Sequence, residues 1–315
     1  MRRILVGDIG GTTSRLGIFE EGRILARQDF SSRNSLNFED ILKSYLKGLS
    51  MPRPSTACIA VAGVVEANRA RVTNLPWVVD GDAIRERTGF TSFQLVNDFE
   101  AVAWGVLALT GEHLVQIGGA GAQGENRVMA VLGAGTGLGE AVIVPCPDGP
   151  KVLATEGGHA DFAPRNPLEI RLLEYLLMKT APVSTEHVLS GPGLVRIRAF
   201  LTHERADSQA LADPAEITRC ALNGTDPVSV ETLEVFCGIY GAEAGNLALR
   251  TLALGGVYVA GGIAPKILPF LSKGIFREAF EAKGKMRKVL ERIPVFIVTH
   301  PEIGLIGAAR AALSL

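Results

Sequence analysis

Twice in this chain an apolar run of strand length breaks into a glycine- and threonine-rich turn and resumes at once as a second apolar run. The first instance is Ile4-Leu5-Val6-Gly7-Asp8-Ile9, the turn Gly10-Gly11-Thr12-Thr13, and Arg15-Leu16-Gly17-Ile18-Phe19. The second is Val128-Met129-Ala130-Val131-Leu132, the run Gly133-Ala134-Gly135-Thr136-Gly137-Leu138-Gly139, and Ala141-Val142-Ile143-Val144. An apolar strand that returns directly through a short turn reads as a hairpin. Setting Asp8 over Gly133 also sets Gly10 over Gly135, so the chain reads as two related lobes, each presenting a tight turn to one ligand.

Between and after these hairpins, strand and helix patterns alternate. Cys58-Ile59-Ala60-Val61-Ala62, Phe93-Gln94-Leu95-Val96, Val257-Tyr258-Val259-Ala260 and Pro294-Val295-Phe296-Ile297-Val298 have the length and apolarity of buried strands. Phe38, Ile41, Leu42, Tyr45, Leu46 and Leu49 recur at helical spacing behind Asn37 as N-cap. A helix carrying Val102, Ala103, Val106 and Leu107 is expected to run to Gly111. Others are expected through Leu168, Leu172, Tyr175 and Leu176, and over 304–310. The alternation gives an α/β protein with mixed sheets. A length of 315 residues suits about two domains, and with no Ser/Pro-rich linker the lobes are expected to pack closely around a cleft.

Composition removes several classes of function. At 47% hydrophobic and 21% charged residues, the chain is not disordered. Its 32 basic and 33 acidic residues leave a net charge of −1, without the basic excess of a nucleic-acid binder. No apolar stretch reaches the roughly 18 residues of a membrane span; the richest, Leu247 to Ile263, is interrupted by Arg250 and several glycines. Met1 to Val6 begins like a leader peptide, but Asp8 cuts its apolar core short. Cys58, Cys146, Cys220 and Cys237 form no C-x-x-C pair, which fits free thiols in a reducing cytoplasm and no structural zinc.

Five segments carry candidate chemistry. In Asp8-Ile9-Gly10-Gly11-Thr12-Thr13 the glycines let backbone N–H groups approach a phosphate and the threonines add hydroxyl donors. A carboxylate at that strand end suits Mg²⁺ held through water. The Gly-Lys-Ser/Thr ending of a Walker A loop is missing. Gly133 to Gly139 reads as a second phosphate cradle; a dinucleotide-binding loop would open a helix, whereas a strand pattern follows here. Asp98, in Asn97-Asp98-Phe99-Glu100, is read either as a helix N-cap or as a carboxylate accepting a hydroxyl proton. Glu156-Gly157-Gly158-His159-Ala160-Asp161-Phe162 is a poor zinc set and is balanced between a polyol-reading turn and a structural loop. Ala260-Gly261-Gly262-Ile263-Ala264-Pro265 suits backbone passing an adenine ring, or equally a strand-to-helix turn with Pro near helix position N1.

Taken in order along nearly the whole chain, these motifs resemble the bacterial glucokinase family of the hexokinase/actin-like ATPase superfamily. Asp8 to Thr13 (Asp8, Ile9, Gly10, Gly11, Thr12, Thr13) is similar to the first phosphate motif. Gly133 to Gly139 (Gly133, Gly135, Thr136, Gly137) is similar to the second, and Val257 to Pro265 (Gly261, Gly262) to the adenosine motif. Leu95-Val96-Asn97-Asp98-Phe99 resembles the segment of the catalytic Asp, and Glu156 to Pro164 the sugar-binding turn. Ser184 to Gly193 matches a segment whose Glu, here Glu186, reaches the sugar; nothing else in the sequence marks Glu186. The related ROK group carries a Cys-rich zinc motif after its sugar-binding His, which these cysteines cannot form, so the resemblance is to the non-ROK glucokinases.

The resemblance implies a two-lobed actin-like (ribonuclease H-like) α/β fold with mixed sheets flanked by helices and an interlobe cleft. It sets a small domain over 1–110 plus 299–315, the final helix crossing back, and a large domain over 111–298. It further implies a homodimeric, cytoplasmic kinase moving the γ-phosphoryl group of ATP to the 6-hydroxyl of D-glucose. Asp98 would be the catalytic residue, Asn97, Asp98, Glu156, His159 and Glu186 the sugar contacts, and Asp8 the Mg²⁺ site. Three alternatives stand beside this: a kinase for another hexose or amino sugar, a non-catalytic sugar-sensing protein, and an actin-like ATPase or phosphatase without a sugar site. A sensor would append a helix-turn-helix, for which no room precedes Asp8.

Overall fold

A computed structural model describes residues 3–109, 111–120, 126–205 and 211–314. Met1 and Arg2, where the leader-like reading begins, lie outside them. The chain divides into two compact units, one from Met1–Thr110 with His300–Leu315 and one from Gly111–Thr299.

The first unit is built on β1 (Ile4–Ile9), β2 (Thr13–Glu20), β3 (Arg23–Ser31) and β4 (Thr56–Val61). A small antiparallel sheet of β5 (Val65–Glu66), β6 (Arg69–Arg71) and β7 (Val78–Asp80) follows, then β8 (Ser92–Asn97). The main sheet has the order β3-β2-β1-β4-β8, antiparallel on the β2 side of β1 and parallel through β4 to β8. β1 and β4 are almost wholly buried apolar runs, as strands covered on both faces must be. Helix Phe38–Gly48 is N-capped by Asn37, whose side chain accepts from Asp40 N, and it buries Phe38, Ile41, Leu42 and Tyr45. The C-terminal helix Ile303–Ser314 packs on helix Asp98–Val106 so closely that a Cβ at Gly307 would run into the Ala101 carbonyl. Helix Asp98–Val106 stops with Leu107 as C-cap, short of the Gly111 boundary its apolar pattern suggests. The last turn loosens there, Ala108 N bonding Gly105 O and Leu109 N bonding Val106 O.

The second unit repeats that plan. β9 (Leu114–Gln116), β10 (Met129–Ala134), β11 (Leu138–Val144), β12 (Lys151–Thr155), β13 (Val257–Ala260) and β14 (Val295–Val298) form one sheet in the order β12-β11-β10-β13-β14-β9. β12-β11-β10 is an antiparallel meander and β10-β13-β14 is parallel, matching β3-β2-β1 and β1-β4-β8. β1 (4–9) and β10 (129–134) begin and end 125 residues apart, which is the Asp8-over-Gly133 setting of the sequence. The 25-residue helix Pro227–Thr251 crosses the core beneath this sheet. Asp226 caps it by accepting from Val228 N and Ser229 N, with Pro227 in the first turn. Close packing of its small residues explains its depth: a Cβ at Gly241 would meet the Phe276 carbonyl, and one at Gly245 the Phe280 carbonyl. Among the described residues no helix is long and apolar enough to cross a membrane. The four cysteines are free, Cys58 and Cys237 being buried.

Candidate functional site

In the first unit, strand register does the assembling. Ile9 lies beside Val61 and Val61 beside Asn97, so the carboxyl ends of β1, β4 and β8 form one row. Neighbouring strands stand about 4.8 Å apart, which puts the Gly10-Gly11 turn and the Asn97-Asp98 pair roughly 10 Å apart on one sheet edge. The turn is tightly braced. Gly10 N donates to Thr13 O at 3.1 Å, Ser32 N to Thr12 O at 3.0 Å, and Ser32 Oγ to Gly10 O at 2.8 Å. Buried Ser14 completes the brace, its hydroxyl 2.9 Å from that of Ser32.

Asp8 projects from β1 opposite Arg15, whose Nη1 donates to Asp8 Oδ2 at 3.0 Å. Burial pushes the Asp8 carboxyl up, and the Arg15 charge and hydrogen bond work against it. Arg15 also lies 3.5 Å from Asp29, which Arg27 grips through two bonds while reaching Glu302 at 3.0 Å. A side chain at Gly304 would come within 3.9 Å of Asp8 Oδ2. Among the described residues no group of three or more His, Cys, Asp or Glu side chains could hold a metal ion. A single carboxylate beside a glycine turn fits Mg²⁺ carried mainly by water and phosphate oxygens, as that ion prefers.

The two readings of Asp98 separate here. Asn97, not Asp98, is the N-cap: its Oδ1 accepts from Phe99 N at 2.9 Å and Glu100 N at 3.1 Å, and its Nδ2 donates to Gly63 O at 3.0 Å. Asp98 is therefore the first helical residue, its Oδ1 accepting from Phe99 N at 2.9 Å. Capping falls to the better-placed amide, and the carboxylate stands at the positive end of the helix.

In the second unit the glycine run is shorter in space than in sequence. Gly133 lies inside β10, paired with Gly139 and Ala260, and only Gly135-Thr136-Gly137 form the turn. Gly135 N donates to Gly137 O at 2.8 Å, and Gly191 N to Gly135 O at 2.8 Å. Space is open where side chains would stand at Gly135 and Gly262. Gly261 has φ +84° and a Cβ there would sit 2.6 Å from the Ala134 carbonyl oxygen, so the turns after β10 and β13 press together. The stretch after Gly262 is a series of turns rather than a helix start. Helix Leu268–Leu271 begins beyond Pro265, which is thus not at position N1.

Glu186 is held against the same turn. Leu138 N donates to its Oε2 at 2.9 Å, and a Cβ at Gly137 would fall on that oxygen. Its neighbours Thr185 and Ser184 zip onto the loop carrying Glu156 and His159. Thr185 N donates to Ala160 O at 2.8 Å, Phe162 N to Val183 O at 3.0 Å, and Asp161 bridges Ser184. His159 Nε2 lies 3.7 Å from Glu156 Oε2. His187, bonded through Nδ1 to Ser184 N at 3.0 Å, has its imidazole pushed down by burial and by Arg196, against the pull of Glu186. Glu156, His159, Glu186 and the Gly135–Gly137 turn therefore share one corner of the sheet. Of these, only Glu186 lacks a local sequence signal; the missing side chain at Gly137 is its trace.

Beneath this corner lies Glu140, which no motif in the sequence marks. It is 1% exposed, with Oε2 against Gly157 where a Cβ would collide. Burial, with Glu243 adding to it and Arg250 opposing, pushes its carboxyl up to about 7.

The family model described as Glucokinase matches residues 5–315 of this chain. The chain is 40% identical to a glucokinase of Trichormus variabilis, covering 100% of both, and 39% identical to one of Marinobacter nauticus, covering 98% and 96%. Its fold is similar to a crystal structure of a glucokinase from an Antarctic psychrotroph, with a TM-score of 0.86 at 34% identity and 100% of each chain covered.

Proposed function

Because this chain belongs to the glucokinase family, with the mixed-sheet actin-like ATPase architecture of that family, we propose that it transfers the γ-phosphoryl group of ATP to the 6-hydroxyl of D-glucose. The products are glucose 6-phosphate and ADP. One observation carries the assignment of the reacting groups: the Ile9–Val61–Asn97 register, which lines up the braced glycine turn and Asp98 along one sheet edge.

Asp98 accepts the O6 proton as that oxygen attacks the γ-phosphorus. With Asn97 as the cap, Asp98 stands at the first helical position, where the positive end of the helix favours its ionised form. Asn97, Asp98, Glu156, His159 and Glu186 hold the sugar hydroxyls. The turn Gly10 to Thr13 and the turn Gly135 to Gly137 receive the phosphates through backbone N–H groups and threonine hydroxyls. Gly261 and Gly262 let the backbone pass the adenine. Mg²⁺, when bound through water at Asp8, supplies neutralisation of phosphate charge. Loose phosphoryl transfer leaves the protein mainly positioning and charge stabilisation to perform, and the bracing of both glycine turns supports that division of labour. We take the working enzyme to be a cytoplasmic homodimer, as the family resemblance implies.

The test is ADP release measured with and without glucose. Glucose-dependent release, with comparable kcat/KM panels for mannose and glucosamine lower than for glucose, supports the reading. ADP release indifferent to glucose overturns it in favour of an ATPase without a sugar site.

A further inference from the structure

Helix Pro227–Thr251 carries a polar group that the proposed reaction does not use, the hydroxyl of Tyr240. Its side chain is fully buried and held edge-on between Phe236, at a centroid distance of 5.7 Å and 73°, and Phe276, at 5.8 Å and 75°. The hydroxyl accepts from Ala134 N at 3.0 Å and donates toward Ala260 O at 3.5 Å. Burial pushes it well above the usual phenol range, so it remains a protonated donor.

Ala134 and Ala260 are the last residues of β10 and β13. The two strands pair in parallel as far as Gly133 and Ala260. One residue on they part, β10 into Gly135-Thr136-Gly137 and β13 into Gly261-Gly262. A parallel ladder that splays open where Ala134 and Ala260 are buried strands a donor on one strand and an acceptor on the other. Each is costly to leave unmet in a buried setting. A single oxygen, delivered from a sequence distance of 106 residues to Ala134 and 20 to Ala260, meets both. Beyond the splay the turns touch again, Ile263 N donating to Ala134 O at 3.3 Å.

We infer that Tyr240 is a positioning residue for the nucleotide: its hydroxyl fastens the Gly135–Gly137 turn to the Gly261-Gly262 turn and sets their spacing before a nucleotide arrives. The inference deepens the proposed function and rests on its assignment of those two turns to ATP. Tyr240 touches no substrate; it acts through the backbone of Ala134 and Ala260.

Tyr240→Phe removes one oxygen and keeps the ring. The KM for ATP and the calorimetric Kd for ADP are expected to rise on the order of tenfold, with the Kd for glucose measured without nucleotide unchanged. Phe236→Leu, which loosens the same core without touching the hydroxyl, should lower Tm and leave ADP binding alone. A Tyr240→Phe variant that loses Tm but binds ADP like the wild type overturns the inference. Independently of any variant, the wild-type Ala134 amide should exchange with solvent as slowly as the core strands, and rapid exchange there also overturns it. Wild-type protein that binds ADP but phosphorylates no glucose defeats the proposed reaction and leaves Tyr240 standing, whereas wild-type protein that binds no ADP defeats both.

Discussion

Gly137→Ala is the most revealing single substitution in the corner proposed to hold the sugar. The new methyl would land on Glu186 Oε2, with the Glu186 Cδ at 3.1 Å and Oε1 at 3.7 Å. Backbone is not in the way; the obstacle is the end of a flexible side chain, so the chain still folds and Glu186 moves instead. What is lost is its 2.9 Å bond from Leu138 N. A hydrogen bond to a charged group is worth about 1.5–3 kcal/mol, or roughly 10- to 100-fold in affinity. Because Gly137 also belongs to the turn proposed to receive phosphate, the measurement is glucose binding by calorimetry with no nucleotide present. Tm is followed alongside, and KM in a coupled glucose 6-phosphate assay. Gly137→Ala should weaken glucose binding by that factor, Glu186→Ala by a similar one, and the double variant by little more than either, since both remove the same anchored carboxylate. Wild-type glucose affinity in Gly137→Ala, or fully additive losses in the double variant, would refute the reasoning.

Asp98→Asn should cut turnover by about 10² to 10⁴ while changing glucose affinity much less; near wild-type turnover removes Asp98 from the chemistry. Glu156→Gln is expected to act chiefly on glucose Kd, and an unaltered Kd moves the sugar elsewhere. Glu140 links stability to pH. Its carboxyl titrates near 4.5 when unfolded and at about 7 when folded, so the unfolded chain sheds the proton first and stability falls as pH rises from about 4.5 to 7. At about 1.4 kcal/mol per pH unit the loss is of order 3 kcal/mol, fully present above pH 7. The Tm of Glu140→Gln should therefore exceed the wild-type value at pH 8 and converge with it near pH 5; a gap independent of pH contradicts this. Gly307→Ala forces a methyl into the Ala101 carbonyl and should destabilise by about 1–3 kcal/mol, read as a lower urea midpoint.

Much of this architecture is readable from residue order because it is local. The two hairpins announce themselves, since Gly-Thr turns sit between apolar runs that can only return on themselves, and β1, β2, β10 and β11 lie where those runs place them. Asp98 and the first glycine turn are likewise legible, for parallel pairing aligns strand ends that each carry their signal. Helix Pro227–Thr251 is harder to read. Sixteen of its residues are buried, most of the way round, so it lacks the one-sided stripe that marks a surface helix. The small sheet of β5, β6 and β7 has strands of two and three residues, too short for alternation to register. Tyr240, and Glu186 apart from the family resemblance that singles it out, escape a local reading for another reason: their partners Ala134 and Leu138 lie 106 and 48 positions away. No window of sequence contains both ends of such a bond.

The unit formed by Met1–Thr110 and His300–Leu315 sets a timetable for biogenesis. Its Ile303–Ser314 helix packs against Ala101 of helix Asp98–Val106. On the ribosome, the strands of this unit emerge first yet wait for roughly 190 intervening residues before that helix can arrive. At about 5–20 residues per second the delay is on the order of ten to forty seconds. The interior unit, contiguous in the chain, can mature during that interval, so the first portion translated is the last to close. Chaperone engagement should accordingly concentrate on nascent chains shorter than 300 residues, with the apolar face of helix Asp98–Val106 still uncovered.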